Sequence, residues 1–169
     1  MTRRIVIMGV SGCGKSSVGA ALSERMGIPY REGDSLHSPA NIGKMQAGEP
    51  LTNADRWPWL DRVAEELAAQ APVILGCSAL RRIYRDRIRA GAGGPVGFVH
   101  LSGSRELIAE RMAARSGHFM PTSLLDSQFA ALEPPGPDEN AITVEIDQPF
   151  DRLVAEILHQ MEQRDRGGA

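Results

Sequence analysis

Residues 9–16 read Gly9-Val10-Ser11-Gly12-Cys13-Gly14-Lys15-Ser16 and match the pattern G-x-x-x-x-G-K-[ST] at every fixed position. The apolar run Ile5-Val6-Ile7-Met8 precedes this stretch, and a segment of helical periodicity follows it. A strand, a glycine-rich turn and a helix in this order aim successive backbone N–H groups and the positive end of the helix dipole at one point. The stretch therefore predicts an α/β fold with a phosphate-binding loop, which we call the phosphate loop.

Several positions of the phosphate loop have an expected chemical role. Its glycines let the backbone wrap closely around phosphate groups. Lys15 can reach the β and γ phosphates of ATP, and the Ser16 hydroxyl can ligate Mg²⁺. Cys13 fills a variable position, where a small neutral residue is favoured over a catalytic thiol. We expect residues 9–16 and the adjacent Ser17 to bind the nucleotide.

Composition and charge narrow the class of protein. A chain of 169 residues with 42% hydrophobic and 24% charged residues fits one folded domain and excludes a disordered or collagen-like chain. The net charge of −2 removes the main argument for binding a nucleic-acid backbone. Cys13 and Cys77 are too few for a disulfide framework, and no stretch approaches the roughly 20 apolar residues of a membrane span. We expect a cytoplasmic protein with no membrane or nucleic-acid partner.

Short apolar runs alternate along the chain with segments of helical periodicity. Strands are predicted at residues 5–9, 28–33, 72–76, 96–101 and 141–146. Helices are predicted at residues 16–26, 59–71, 80–89, 104–114 and 150–161. Such alternation indicates βαβ units and a parallel sheet covered on both faces. We therefore expect a single three-layer domain over residues 1–169 with a five-stranded parallel sheet.

The second predicted strand ends in Glu32-Gly33-Asp34, at the edge of the sheet where open parallel sheets bind ligands. Asp34 is placed to accept a proton from an attacking hydroxyl or to orient Mg²⁺ through water. Capping the next helical segment is an equally open role for Asp34. The residues from about 34 to 60 are dense in polar and aromatic side chains, which is typical of a substrate-binding segment.

These and later motifs make the chain similar to the gluconokinase family of small P-loop carbohydrate kinases over nearly its whole length. Besides the phosphate loop, the residues that carry the resemblance are Glu32-Gly33-Asp34, Leu36-His37, Asn41, Lys44-Met45, Gly48, Pro50-Leu51, Asp55-Arg56-Trp57-Pro58-Trp59-Leu60, Cys77-Ser78-Ala79-Leu80, Tyr84-Arg85-Asp86, Arg111, Arg115, His118-Phe119-Met120-Pro121, Leu124-Leu125, Ser127-Gln128-Phe129 and Leu132-Glu133-Pro134. The resemblance implies a fold shared with adenylate and shikimate kinases, a homodimer, and ATP-dependent phosphorylation of D-gluconate to 6-phospho-D-gluconate. Ser17, Ser38 and Arg81 stand where relatives often have Thr, Pro and Lys.

The residue types available suit gluconate, which is an anionic polyol. Arg56 carries a planar guanidinium group that fits a carboxylate, and His37 and Lys44 can address hydroxyls or charge together with Asp34. A solvated loop position is the alternative for His37. Further acceptor contacts are expected from Cys77 and Ser78 after the third strand, and the resemblance adds Arg81 and His118.

The residues from about 115 to 130 are predicted to form a lid. Arg111 and Arg115 are one helical turn apart and project from one face, so closure would bring two cations to the charge that grows during phosphoryl transfer. A solvated basic helix end is the alternative. Gly117 is a possible hinge. The resemblance places Arg111 near adenine, Arg115 near the phosphates and Pro149 in the loop that borders adenine.

The residues predict a kinase that uses ATP and Mg²⁺, with Asp34 as base and Lys15 and Arg115 stabilising the transition state, and the resemblance implies that gluconate is the acceptor. A shikimate kinase or a nucleoside monophosphate kinase on the same scaffold is the rival enzyme, against which stand His37, Asn41 and Lys44. A non-catalytic ATP-binding regulator is the alternative from another class. Such a regulator would need neither Asp34 nor two lid arginines.

Overall fold

The computed structural model describes residues 3–114 and 122–167. Its strands are β1 (Arg4–Met8), β2 (Tyr30–Glu32), β3 (Val73–Gly76), β4 (Gly97–Ser102) and β5 (Ile142–Glu145). Its α-helices are α1 (Lys15–Met26), α2 (Pro39–Gln46), α3 (Asn53–Gln70), α4 (Arg82–Gly91), α5 (Arg105–Ala114), α6 (Thr122–Ala131) and α7 (Phe150–Gly167). Two short 3-10 helices lie at Gly33–Leu36 and Pro137–Glu139. None of the helices in the described ranges has the length and hydropathy needed to cross a bilayer.

The five strands form one parallel sheet in the order β2-β3-β1-β4-β5, which confirms the predicted sheet. The central strand β1 pairs with β3 on one side and with β4 on the other. The order of the strands therefore reverses at β1, and ligands bind outside the carboxyl end of such a reversal. The phosphate loop follows β1 directly, so the fold puts it at this point.

Helices cover both faces of the sheet and give the predicted three layers. Side chains of β1 alternate between the faces, with Ile5 and Ile7 in one buried cluster and Val6 and Met8 in the other. The first cluster contains buried residues of α1, α5, α6 and α7, and the second contains those of α3 and α4. Burial on both faces explains why the inner strands β1 and β3 are continuous apolar runs, whereas the edge strand β5 alternates between buried and exposed residues.

Helix α3 begins at Asn53, six residues before the predicted start at residue 59, so that boundary was wrong. Thr52 Oγ1 accepts a hydrogen bond from the Asp55 N–H at 3.1 Å, and Asp55 Oδ2 accepts one from the Thr52 N–H at 2.9 Å. This capping box satisfies two N–H groups at the helix end. Pro58 lies inside the helix, where it cannot form the hydrogen bond to the carbonyl four residues earlier and its ring crowds that carbonyl.

Two further helices were absent from the prediction. Helix α2 lies within segment 34–60 and is capped by Ser38, whose Oγ accepts from the Asn41 N–H at 3.2 Å. Its buried residue is the polar Asn41, so the apolar period that reveals a surface helix is missing. Helix α6 lies in the predicted lid, and α7 continues six residues beyond its predicted end at residue 161.

Candidate active site

The phosphate loop contains three glycines at positive φ angles, which residues with a Cβ atom rarely adopt. Gly9, Gly12 and Gly14 have φ values of 147°, 82° and 101°. A Cβ atom added to Gly9 would lie 2.7 Å from Cys13 Sγ and 3.0 Å from the Leu101 carbonyl oxygen. The loop therefore packs its backbone tightly against its own buried cysteine and the neighbouring strand β4.

Polar side chains tie the phosphate loop to itself and to β2. Lys15 Nζ donates to the Gly9 and Val10 carbonyl oxygens, each at 3.0 Å, so the ammonium group lies across the loop. Ser16 Oγ donates to Glu32 Oε1 at 2.5 Å and thereby joins the first turn of α1 to the end of β2. Glu32 was missed as a site residue, although its place beside the predicted base was a usable signal.

A central cavity of about 300 Å³ opens beside the phosphate loop at the carboxyl edge of the sheet. It brings together residues predicted from four separate parts of the chain. The predicted site residues in its wall are Ser11, Lys15, Asp34, His37, Arg56, Ser78 and Arg81. Other wall residues are Met45, Glu49, Pro50, Leu51, Trp59, Leu80, Leu124, Ser127, Gln128 and Ala131.

Asp34 lies in the 3-10 helix that follows β2, and its side chain is exposed to solvent. Its backbone carbonyl accepts the His37 N–H at 3.2 Å, so the short helix closes on itself. The alternative role of Asp34 as cap of the next helix is wrong, because Ser38 caps α2. The carboxylate is consequently available to the central cavity that Lys15 also lines.

His37 is buried, with 6% of its surface exposed, and its ring stacks on Trp59 at a centroid distance of 3.9 Å. The alternative of a solvated loop histidine is therefore wrong. Burial and the charge of Arg56 lower the pKa of His37 to about 4, so the ring is neutral at pH 7. Asn41 Nδ2 lies 3.3 Å from Nδ1, and an amide donor there assigns the ring hydrogen to Nε2.

Lys44 and Arg56 differ in their hydrogen-bond partners and in their position relative to the central cavity. Lys44 Nζ donates to Asp55 Oδ2 at 2.8 Å, outside the cavity wall, and this bond is the main cause that lowers the pKa of Asp55 to about 2. Arg56 lines the cavity, and its Nη1 donates to the Leu51 carbonyl at 2.6 Å and to Tyr84 Oη at 3.1 Å. The structure places Lys44 where it braces segment 34–60 and Arg56 in the wall of the central cavity.

The loop after β3 contributes Ser78 and Arg81 to the cavity wall but not Cys77. Cys77 is fully buried, its N–H is donated to the Ile7 carbonyl at 3.0 Å, and burial raises its thiol pKa to about 12. The structure therefore places Cys77 in the core. The Ser78 carbonyl accepts the Gly9 N–H at 3.2 Å, which connects this loop to the phosphate loop.

A buried ion pair supports the same loop from behind. Arg85 is fully buried and donates to both carboxylate oxygens of Glu139, at 2.7 and 2.9 Å. It also donates to the carbonyl of Ala79 at 2.9 Å, and Ala79 itself is held at a φ of 45°. The Arg85 hydrogen bonds are the main cause that lowers the pKa of Glu139 to about 2. The network fixes an uncommon backbone conformation beside the cavity.

On the far side of the phosphate loop lie α5 and the loop after β5. Arg111 Nη2 donates to the Ile146 carbonyl at 2.8 Å, directly before the segment that contains Pro149. A Cβ atom added to Gly12 would lie 2.6 Å from Met112 Cγ, so α5 packs closely on the phosphate loop. Arg111 and Pro149 thus lie away from the central cavity, on the opposite side of the loop.

Arg115, Gly117 and His118 lie outside the described residues. Of the predicted lid, the structure describes α6, whose Gln128 contacts Ser11 of the phosphate loop through two hydrogen bonds. Sequence reasoning did not assign Gln128 a role, although it lies in one of the motifs quoted above. Within the described ranges, no group of three or more His, Cys, Asp or Glu side chains is arranged to hold a metal ion unaided.

The chain was also compared with protein-family models, with the sequences of known proteins and with solved structures. The AAA domain family model matches residues 5–135. The gluconokinase of Gluconobacter oxydans (strain 621H) is 46% identical over 167 residues, which cover 96% of this chain and 93% of that protein. A crystal structure of a gluconokinase from Sinorhizobium meliloti 1021 superposes with a TM-score of 0.89 at 50% identity, covering 95% of this chain and 92% of the other.

A shikimate kinase from Aquifex aeolicus vf5 also superposes, with a TM-score of 0.63, 18% identity, and coverage of 96% of this chain and 98% of that one. This likeness shows the common P-loop kinase fold and nothing more specific. Over a similar extent of the chain, the identity to the two gluconokinases is far greater, at 46% and 50%. The chain therefore belongs to the gluconokinase family of P-loop kinases.

Proposed function

We propose that the protein transfers the γ-phosphoryl group of ATP to D-gluconate, giving 6-phospho-D-gluconate and ADP. One observation carries the proposal: Lys15 of the phosphate loop, the exposed carboxylate of Asp34 and the guanidinium group of Arg56 line one cavity. Such a cavity offers a phosphate site, a base and a carboxylate site to one substrate pair. Membership of the gluconokinase family selects gluconate as the acceptor.

Arg56 is proposed to bind the gluconate carboxylate. Among the described residues, the side-chain hydrogen bonds of Arg56 involve only Nη1, so Nε and Nη2 can form a bidentate hydrogen bond to a carboxylate. The Nε2–H of neutral His37 is a donor for a hydroxyl group. Ser78 and Arg81 complete the wall on the side of α4. His118, outside the described residues, is proposed as a further acceptor contact.

The transfer step follows from these positions. The terminal hydroxyl oxygen of gluconate attacks the γ-phosphorus while Asp34 accepts the hydroxyl proton. The bond from phosphorus to the β–γ bridging oxygen breaks, and ADP leaves with that electron pair. Lys15, after exchanging its carbonyl contacts for phosphate oxygens, stabilises the charge on the transferred group. Arg115, outside the described residues, is proposed to add a second cation.

Mg²⁺ is the proposed metal ion, and the residues at the start of α1 fit it. The hydroxyl of Ser16 and the carboxylate of Glu32 lie 2.5 Å apart, and Mg²⁺ usually takes one or two protein oxygens together with phosphate oxygens and water. When bound there, the ion neutralises charge on the β and γ phosphates. Ser16 is the proposed direct ligand.

Adenine is proposed to lie between α5 and the loop after β5, near Arg111 and Pro149. The bond from Arg111 to the Ile146 carbonyl and the packing of α5 on Gly12 support this side for the nucleotide. We also propose a single kinase domain over residues 1–169, with a substrate-binding segment at about 34–60 and a lid at about 115–130. A cytoplasmic homodimer is proposed from the family, and light scattering of the purified protein tests the dimer.

The proposal is tested by mixing purified protein with ATP and Mg²⁺ and separately adding gluconate, shikimate or a panel of nucleotides. Release of ADP is measured, and phosphorus NMR identifies the phosphorylated position. We expect gluconate-dependent ADP release and a phosphate ester on the terminal carbon. ADP release with shikimate or a nucleotide instead of gluconate would assign the protein to the rival enzyme class. Binding of ATP with no turnover on any acceptor would favour a regulator.

A further inference from the structure

The side chain of Gln128 links helix α6 to the phosphate loop. Its Oε1 accepts a hydrogen bond from the Ser11 backbone N–H at 2.7 Å, and its Nε2 donates to Ser11 Oγ at 3.1 Å. Both hydrogen bonds fit the same orientation of the Gln128 amide, with its oxygen towards the Ser11 N–H and its nitrogen towards Ser11 Oγ. Ser11 and Gln128 are 117 positions apart in the sequence, so the contact is a tertiary one.

The position of Ser11 shows which phosphate its N–H would face. Backbone N–H groups of a phosphate loop are the donors that hold the phosphates of a nucleotide. Within this loop, Ser11 and Lys15 are the residues in the wall of the central cavity, which Asp34 also lines. A phosphoryl group that moves from nucleotide to acceptor lies at this junction. The Ser11 N–H is therefore a donor for the terminal phosphate of ATP.

A backbone N–H carries one hydrogen, and its bond of 2.7 Å to Gln128 Oε1 occupies it. We propose that Gln128 is a positioning residue, which competes with the terminal phosphate of ATP for the Ser11 N–H and so couples nucleotide binding to the position of α6. The inference rests on the proposed function, because it takes ATP as the phosphoryl donor. ADP lacks the terminal phosphate and does not enter this competition.

Helix α6 carries the effect to the acceptor side. Besides Gln128, it contributes Leu124, Ser127 and Ala131 to the wall of the central cavity. When phosphate takes the Ser11 N–H, the helix loses the shorter of the two hydrogen bonds that join Gln128 to Ser11. The wall that meets the acceptor then changes with nucleotide occupancy. By linkage, the acceptor changes the affinity for ATP by the same factor.

The remainder of α6 is anchored independently of Gln128. Leu124 and Leu125 are 6% and 3% exposed, and Leu125 belongs to the core cluster on that face of the sheet. Asp126 pairs with Arg105 of α5. Loss of the Gln128 side chain therefore removes the contact to Ser11 and leaves the helix attached to the core.

The test is calorimetric titration of the full chain with a non-hydrolysable ATP analogue and, separately, with ADP, both with Mg²⁺ and without acceptor. Gln128→Ala is compared with Gln160→Ala, a control on α7 whose side-chain amide, within residues 3–114 and 122–167, bonds only the Glu156 side chain. We expect Gln128→Ala to bind the analogue about three- to tenfold more tightly, the ratio that one lost competing hydrogen bond gives. Affinity for ADP, and both affinities of the control, stay within about twofold.

An unchanged or weaker affinity for the analogue in Gln128→Ala, or an equal gain for ADP, would overturn the proposal. Gln128→Glu provides a second readout if the alanine variant folds poorly. Its carboxylate still accepts the Ser11 N–H but repels phosphate, so the analogue binds at least about tenfold more weakly while ADP is affected much less. Equal weakening for both nucleotides would also count against competition for the terminal phosphate.

Coupling to the acceptor is measured as the ratio of gluconate affinities with and without saturating analogue. We expect this ratio to move towards one in Gln128→Ala, and an unchanged ratio would contradict the coupling. Failure of the proposed function looks different. In that case the unmodified protein shows no gluconate-dependent ADP release, while the effect of Gln128→Ala on binding of the analogue persists.

Discussion

Backbone geometry shapes the phosphate loop, whereas side-chain contacts between distant positions shape segment 34–60. The loop depends on positive φ angles at Gly9, Gly12 and Gly14. Trp59, near the end of segment 34–60, donates through Nε1 to the carbonyl of Gly33, the residue directly before the segment, at 2.9 Å and 26 positions away. Asn41 Nδ2 donates to the Asp55 carbonyl at 2.8 Å, 14 positions away. One region is a local motif, and the other is assembled by tertiary contacts.

The difference determines how each region responds to substitution. A charge removed from the phosphate loop takes away a group that acts on the reacting phosphate and leaves the backbone cradle in place. A charge removed from segment 34–60 mainly loosens contacts that hold other groups. Substituting chemically similar residues in the two regions therefore distinguishes groups that act on the reacting phosphate from groups that hold other residues in place.

The largest effect is expected for Asp34→Asn. Asp34 is the only residue of segment 34–60 that is proposed to act in the chemical step, and asparagine keeps the shape of its side chain. Loss of a positioned base lowers kcat by about 10²- to 10⁴-fold. Binding of a non-hydrolysable ATP analogue stays within about twofold, because in the described part of the chain Asp34 makes no hydrogen bond to the phosphate loop. The measurement is steady-state ADP release with gluconate, alongside calorimetric titration.

Asp61→Asn is the matched control, since Asp61 pairs with Arg87 at an exposed position outside the cavity wall. It should retain kcat within about twofold. Near-normal turnover in Asp34→Asn would remove its role as base.

The two lysines of the chain form the next comparison. Lys15→Ala removes a charge from the transition state and should lower kcat/KM by about 10²- to 10³-fold. Lys44→Ala removes the partner of Asp55 and should lower kcat/KM by less than about tenfold, mainly through KM for gluconate. Parallel kinetics of the two variants test this, and equal losses would place Lys44 at the substrate.

A substitution in the buried ion pair of Arg85 and Glu139 tests how strongly this pair stabilises the protein and the loop after β3 that Arg85 contacts. Glu139→Gln leaves Arg85 buried without its charge partner and should lower the free energy of unfolding by about 3 kcal/mol. The pKa of Glu139 is about 2, below its ordinary value of 4.5. Its stabilising effect is therefore complete above pH 4.5 and is lost as the pH falls towards 2.

Urea denaturation at pH 7 and at pH 3 measures both effects. The loss of stability between these pH values should be smaller in Glu139→Gln than in the unmodified protein, because the variant lacks the titrating group. Equal stability of the two proteins at pH 7 would mean that the pair contributes nothing.

Sequence patterns predicted the parts of the molecule whose cause is local. Strands β1 and β3 were found because their apolar runs are buried on both faces, although the edge strands β2 and β5 are not buried in this way. The phosphate loop was found because its spacing of glycines, Lys15 and Ser16 is itself the structure. Membership of the gluconokinase family, inferred from the order of many short motifs, is confirmed by the comparisons.

The rest depends on contacts that a local pattern does not contain. Helix α2 was missed because its buried residue is Asn41, which is satisfied by His37 and by the Asp55 carbonyl. The bond between Ser11 and Gln128 joins two motifs that the sequence presented separately. Cys77 was expected at the cavity because it follows β3, but whether it meets the core or the ligand depends on the direction of one side chain.

The smallest effect is expected from the histidine that packs within segment 34–60. His37 has a pKa of about 4, and its ordinary value of 6.5 applies in the unfolded chain. Between these values the unfolded chain binds a proton that the folded protein does not, so stability falls as the pH drops from 6.5 towards 4. His37→Gln removes this titration and should reduce the loss of unfolding free energy between pH 7 and pH 5 by about 1 kcal/mol.

His159→Gln is the control, because His159 is an exposed residue of α7. The buried His100, whose pKa is also lowered to about 4 by burial, remains in both variants and cancels in the comparison. Urea denaturation of the three proteins at both pH values provides the measurement. If His37→Gln and the unmodified protein lose the same stability, His37 meets solvent, and segment 34–60 is held more loosely than its contacts to Trp59 and Asn41 imply.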